Sequence, residues 1–248
     1  MKKILKIFLF ATCVYLLLII IPISSLDKDM GGNYNNPSQH AFINEFFGTI
    51  SSSANLNGGF PLMPVRENNF KSPNKEKLGK LLFFDPLLSG DNNFSCAHCH
   101  HPDLGFTDNR ALSMGHGGSG IGPKRIGGTV LRRSSPTIWN SGYNHKQYWD
   151  GRADDLEHQA GFPIQDMQEM AQDKDELIKE LLDIPEYVQL FNEAFGSNDV
   201  KKSVTFENIT FAIAAFERTI TANNTRFDEY SRGNHLALSK SERRGLNL

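Results

Sequence analysis

The chain has 248 residues, of which 39% are hydrophobic and 22% charged, a balance that suits one large folded domain or two modest ones and excludes a disordered chain. Its 26 basic and 28 acidic residues leave a formal net charge of −2. The signs are interspersed rather than blocked, so there is no basic face and no nucleic-acid partner is expected.

The first element is a leader. Met1, Lys2, Lys3 and Lys6 form a positive start, and an almost unbroken apolar run follows from Ile7 to Ile23, the pattern of an export signal. The run matches the shortest membrane spans in length, and its exit, Pro22-Ile23-Ser24-Ser25, is not an A-x-A cleavage site. Residues 1–25 therefore read equally as a cleaved signal peptide or as a retained membrane anchor. Either reading places the rest of the chain in the periplasm or another extracytoplasmic space. Of three cysteines, Cys13 lies in the leader, which leaves Cys96 and Cys99. A disulfide-stapled secreted domain needs more thiols, so this pair calls for a chemical explanation.

Residues 26–70, rich in Asn, Gly, Ser and Pro with a short apolar patch from Ala41 to Phe47, read as a flexible linker. The folded body is expected over 71–248. Ser72 caps and Pro73 starts a helix whose apolar positions Leu78, Leu81, Leu82 and Phe84 stop at Asp85-Pro86. The region from Pro102 to Pro136 is glycine-rich and proline-punctuated, a long loop that needs something to wrap. Helical spacing returns at Leu177, Leu181 and Leu182, at Tyr187, Leu190 and Phe191, and at Ile209, Ile213, Phe216 and Ile220. With no alternating strand pattern, the fold class is mainly α with extensive loops.

Asn93-Phe94-Ser95-Cys96-Ala97-His98-Cys99-His100-His101 contains C-x-x-C-H, the attachment signature of c-type haem. Two cysteines about one helical turn apart can add to the two vinyl groups on one edge of the macrocycle. The histidine that follows can then ligate the iron from the proximal side. A zinc site is a competing reading that His98 and His101 keep open, but no second Cys or His pair sits at finger spacing. A thioredoxin-like dithiol expects a βαβ context that is absent. Haem c on Cys96, Cys99 and His100 is the leading reading, and the Gly/Pro-rich loops are expected to wrap it.

Gly115-His116-Gly117-Gly118-Ser119-Gly120 matches G-x-G-x-x-G, yet Ile121-Gly122-Pro123 prevents the helix that a dinucleotide site requires. A mobile loop carrying one imidazole is more economical, the glycines giving His116 freedom to swing toward or away from a ring. A surface histidine in a flexible loop is the bland alternative.

At this point the chain resembles the bacterial di-haem cytochrome c peroxidase family, which includes the methylamine dehydrogenase maturation enzyme. The resemblance rests on Leu78-Gly79-Lys80-Leu81-Leu82-Phe83-Phe84-Asp85, Ser95 to His100, Gly105-Phe106-Thr107-Asp108, Gly115-His116-Gly117, Ser135-Pro136-Thr137, Trp149-Asp150-Gly151-Arg152-Ala153 and Glu169-Met170, in this order from about Ser72 onward. It implies that His100 is the proximal ligand of a peroxidatic haem and His116 a distal ligand that leaves on activation. It also implies that Glu169 is the distal carboxylate, Gln159 the pocket amide, and Trp149 a tryptophan between two haems. A carboxylate over the iron takes a proton from the inner oxygen of peroxide and delivers it to the outer one. Two departures stand out. The second C-x-x-C-H of a C-terminal domain is absent, so the sequence looks truncated at Leu248, and Ser134 stands where relatives often have an Asn that helps hold calcium.

The function implied is reduction of hydrogen peroxide to water, with electrons from a small cytochrome or cupredoxin arriving through a second haem. Competing readings are a maturation oxidase that modifies a partner protein, suggested by Leu131-Arg132-Arg133 and Ile138-Trp139-Asn140, and an electron-transfer cytochrome in which His116 never leaves. A homodimer and a membrane contact through the leader remain open.

Overall fold

The computed structural model describes residues 63–248 apart from Asn198 and Asn247. The leader and most of the expected linker lie outside the described residues. The described body is helical, with no named strand and only isolated β-bridges among its loops.

Helix α1 spans Pro73–Phe84. Proline in its first turn supplies a preset φ where no N–H partner is needed, and Ser72 takes the N-cap position, although its side chain makes no capping bond. The stop at Asp85-Pro86 is built as the sequence suggests. Asp85 is extended, as a residue before proline prefers, and its Oδ1 accepts from Leu87 N at 2.9 Å to start a 3-10 turn over Pro86–Leu88.

The haem-motif helix α2 is one turn, Cys96–Cys99. Helices α3 (Leu156–Gln165), α4 (Lys174–Leu182), α5 (Pro185–Phe195), α6 (Val200–Ser203) and α7 (Phe206–Glu217) follow. Short helices α8 (Arg226–Ser231) and α9 (Lys240–Leu246) lie near the end. The three apolar stripes seen in the sequence correspond to α4, α5 and α7, while Ile220 lies just past α7 and is still buried. Helix α3 had no clear signal because Gly161 and Pro163 interrupt its pattern. Asp155 caps it by accepting from His158 N at 2.8 Å, and Pro163 sits in its last turn.

The apolar core forms where α7 packs on α1 and α3, with α5 also packed against α1. Leu78, Leu82, Phe83, Ile209 and Ile213 are among its buried residues. At the α1–α7 crossing the backbones touch: a Cβ on Gly79 would lie 1.8 Å from Ala212 O. No side chain fits there, which gives Gly79 in the Leu-Gly-Lys-Leu-Leu stretch a steric reason.

Residues 63–70 do not stand apart from the body: Asn69 is buried and its Nδ2 donates to Glu157 Oε1 at 2.7 Å and to Phe211 O at 3.0 Å. Arg218 completes this cluster with a fork onto Glu157, Nη1 to Oε1 at 2.7 Å and Nη2 to Oε2 at 2.8 Å. Burial pushes the Glu157 carboxyl up, but bonds from Arg218 and Asn69 outweigh it and hold the group below the usual range. A depressed folded pKa stabilises above the unfolded value and is lost as pH falls through the folded one. Glu157→Gln is expected to cost about 3–5 kcal/mol, because it leaves the Arg218 charge unpaired. Urea unfolding at neutral pH checks this, and the parent should converge toward the variant as the solution is acidified below the glutamate range.

Candidate haem-binding site

Helix α2 starts at Ser95, whose hydroxyl and the His98 ring form a reciprocal cap, His98 Nδ1 accepting from Ser95 N at 3.0 Å. Burial, then the nearby Arg125 charge, lowers the His98 imidazole to about 4, so it is a neutral cap. His101 Nδ1 accepts from Asp103 N at 3.2 Å. Both histidines that kept a zinc reading open are thus committed to turns. No cluster of three or more His, Cys, Asp or Glu poised for a metal ion occurs among the described residues.

Cys96 and Cys99 are not in a disulfide. Burial pushes both thiols up, Cys99 to about 12, with Glu217 adding to the rise at Cys96 and Asp108 to that at Cys99. These are neutral, unpaired thiols one turn apart, as vinyl attachment requires. Next to them, His100 Nδ1 donates to Phe106 O at 3.1 Å, and the Pro136 backbone also bonds the ring, so carbonyl contacts orient the imidazole. Burial lowers the His100 imidazole, keeping it neutral. Two thiols for the ring edge and one oriented imidazole for the iron fit a c-type haem held by Cys96, Cys99 and His100.

His116 lies on one arm of an irregular hairpin over residues 113–133. Ser113 N donates to Arg133 O, Gly115 N to Thr129 O, Thr129 N to His116 O, and Ser119 and Ile126 exchange both bonds. The freedom expected of Gly115 is not what its lack of a side chain serves. A Cβ there would lie 2.0 Å from Gln168 O, and the neighbouring His116 N donates to Glu169 O at 2.7 Å. Gly117 does need its left-handed φ of 82°. His116 Nδ1 is 3.4 Å from Asp91 Oδ2, without the alignment of a hydrogen bond. The Cys99 thiol reaches Met114 O at 3.9 Å, so the hairpin adjoins the attachment helix.

The resemblance-derived residues fall into two groups. Glu169 is backbone-bonded to His116, and its charge is felt at Cys96, Cys99 and Tyr148. Burial, reinforced by Asp166, raises the Glu169 carboxyl, with Arg152 pulling against the rise. The Tyr148 hydroxyl lies 3.4 Å from Gln159 O, which links Gln159 to the same neighbourhood. Trp149 is 63% exposed, and its Nε1 donates to Ser134 O at 2.9 Å.

Three residues had escaped the sequence reading. Tyr148 holds a positive φ of 69° while its ring carries the Arg152 guanidinium 3.4 Å from the centroid. Glu217 is buried, its Oε2 has no partner, and burial raises its carboxyl to about 8. Its signal in the sequence is a carboxylate in helical register with Ile213 and Ile209. Arg125 is a buried arginine inside the hairpin.

A family model described as di-haem cytochrome c peroxidase matches residues 73–236. The cytochrome c551 peroxidase of Nitrosomonas europaea is 38% identical over 188 residues, covering 76% of this chain and 52% of its own. That of Pseudomonas aeruginosa is 41% identical over 175 residues, covering 71% and 47%. The methylamine utilization protein MauG of Methylorubrum extorquens is 36% identical over 186 residues, covering 75% and 49%. A crystal structure of a MauG-like protein associated with microbial copper homeostasis superposes with a TM-score of 0.67 at 29% identity, over 79% of this chain and 54% of that one. The chain spans about half the length of the curated relatives it matches. A matched region of this extent, carrying paired thiols and an oriented imidazole, makes the chain a member of the bacterial di-haem cytochrome c peroxidase and MauG-like family of oxidoreductases.

Proposed function

We propose that residues 71–248 form the peroxide-reacting haem domain of a di-haem peroxidase that reduces hydrogen peroxide to water in an extracytoplasmic compartment. The observation that carries the reading is the 2.7 Å bond from His116 N to Glu169 O, which puts the distal-ligand candidate and the acid/base candidate on touching backbones beside Cys96 and Cys99. A haem held there would supply an iron centre for redox chemistry with peroxide.

The chain's own residues do the rest. Cys96 and Cys99 anchor the ring edge, and His100, oriented by its Nδ1–H bond to Phe106 O, offers Nε2 to the iron. Glu169, its carboxyl raised by burial, takes the proton from the inner peroxide oxygen and returns it to the outer one. Gln159 orients the peroxide. His116 would close the distal side in the resting state and leave it on activation. Trp149 is exposed and would offer a route for electrons from a second haem, which a small cytochrome or cupredoxin would reduce.

A second reading, oxidation of a partner protein, is favoured by the likeness to MauG and to the MauG-like crystal structure. Spectroscopy on the complete haem-loaded protein tests the first. High-spin haem should appear on half-reduction and change on adding peroxide, and His116→Gly should be high-spin without reduction. A haem that stays low-spin and indifferent to peroxide would leave an electron carrier. Peroxide turnover sustained by a small reduced cytochrome or cupredoxin alone, with that donor oxidised in step and no other protein modified, separates peroxidase from maturation oxidase.

A further inference from the structure

The hairpin that carries His116 is organised around Arg125, one of the most buried large side chains in the protein at 2% exposure. It follows the 3-10 turn Gly122–Lys124 at the hairpin tip and folds back under the opposite arm. Nε donates to Met114 O at 3.0 Å, Nη2 to Gly115 O at 2.9 Å and Nη1 to Gly120 O at 3.2 Å. Its guanidinium also lies 4.2 Å from the centre of the Phe94 ring, two residues before Cys96. Among the described residues these hydrogen bonds all go to backbone carbonyls, and the Asp91 carboxylate acts on the guanidinium only through its charge.

The glycines beside His116 make room for it. A Cβ on Gly118 would come within 3.1 Å of Arg125 Cζ and 2.9 Å of Gly128 N. A Cβ on Gly128 would lie 2.4 Å from Gly115 O. The stretch that imitates a dinucleotide fingerprint is thus a socket for one guanidinium. Burying a cation that no carboxylate hydrogen-bonds is costly, and three carbonyls, an aromatic face and the charge of Asp91 are the compensation.

We propose that Arg125 is a positioning residue that holds the His116 arm against the haem-attachment segment and thereby sets how firmly His116 closes the distal side. This rests on the reading of His116 as the distal ligand. Haem attachment makes the clamp more important. Adding the Cys99 S–H across a vinyl group puts the hydrogen on the vinyl carbon and leaves a thioether, so Met114 O loses its thiol donor and keeps Arg125. A ligand on a tethered arm binds through its effective concentration, which falls when the tether loosens.

The test uses the complete haem-loaded protein in its fully oxidised state. Arg125→Lys keeps the charge but cannot fork across three carbonyls, and Arg125→Gln removes the charge. Each is expected to lower the ratio of low-spin to high-spin peroxidatic haem about tenfold, a loss of effective concentration. Asn69→Ala, which removes a buried donor bonded to Glu157 and Phe211, should lower thermal stability without moving that ratio. A folded, haem-loaded Arg125→Lys protein with the parent's spin balance overturns the proposal, whatever Arg125→Gln does. Should His116→Gly also leave the oxidised spectrum unchanged, the distal-ligand reading falls and the clamp falls with it. A change in His116→Gly but not in Arg125→Lys sinks the clamp alone.

Discussion

A Cys96→Ser, Cys99→Ser double variant is expected to carry no haem on the peptide that spans residues 96–100. In the parent that peptide should gain the mass of one haem and keep it through denaturing extraction, because thioether bonds survive unfolding. Each single variant should retain haem through its remaining sulfur. The prediction is sharp because the alternatives are used up locally. His98 caps α2 through Ser95 and His101 closes the next turn, so neither replaces a missing attachment point. His100 alone gives one coordinate bond that acid breaks. Haem that persists on the double-variant peptide would place the attachment elsewhere and undo the site.

Much of the frame was legible because its signals are local. Proline at the start of α1, the Asp85-Pro86 stop, and stripes at Leu177, Tyr187 and Ile209 each reflect a rule that operates within a few residues. The C-x-x-C-H run is likewise self-contained. What escaped depends on contacts between distant segments. Asn69 looked like linker because its partners, Glu157 and Phe211, are far along the chain. Helix α3 is held by tertiary packing against α7 despite Gly161 and Pro163. Gly115 and Gly117 look alike in sequence, yet one permits close approach to Gln168 and the other a left-handed φ. Arg125 could not be read at all, since nothing in the sequence distinguishes a buried cation among carbonyls from the solvated Lys124 beside it.

The same distinction explains why the distal residues needed a family resemblance. A Glu, a Gln and a Trp have no intrinsic mark of function. The structure draws Glu169 toward His116, and Tyr148 toward Gln159, but leaves the Trp149 ring at the surface. An exposed indole anchored by Nε1 to Ser134 O has its orientation set from within and its face offered outward.

Glu169→Gln is expected to lower the peroxide-reduction rate of the complete protein about a hundredfold to ten-thousandfold, the range for losing a positioned acid/base. Glutamine preserves size and hydrogen bonding but cannot accept the proton of the inner peroxide oxygen. The substitution leaves the backbone in place, and His116 N bonds the backbone carbonyl of residue 169 rather than its carboxylate. Haem attachment and the appearance of high-spin haem on half-reduction should therefore match the parent, so the defect falls in turnover and not in activation. Burial and Asp166 raise the Glu169 carboxyl, which brings its proton affinity closer to working pH and lets one group both take and return a proton. A parent-like rate in Glu169→Gln would remove this carboxylate from the chemistry and require the proton to travel by another group. Tyr148, whose hydroxyl approaches Gln159 O and whose ring environment is coupled to Glu169, would then be the next residue to replace. A loss of rate together with a lost high-spin signal would assign Glu169 to loop placement, since the side chain would then be acting through His116 and not on peroxide.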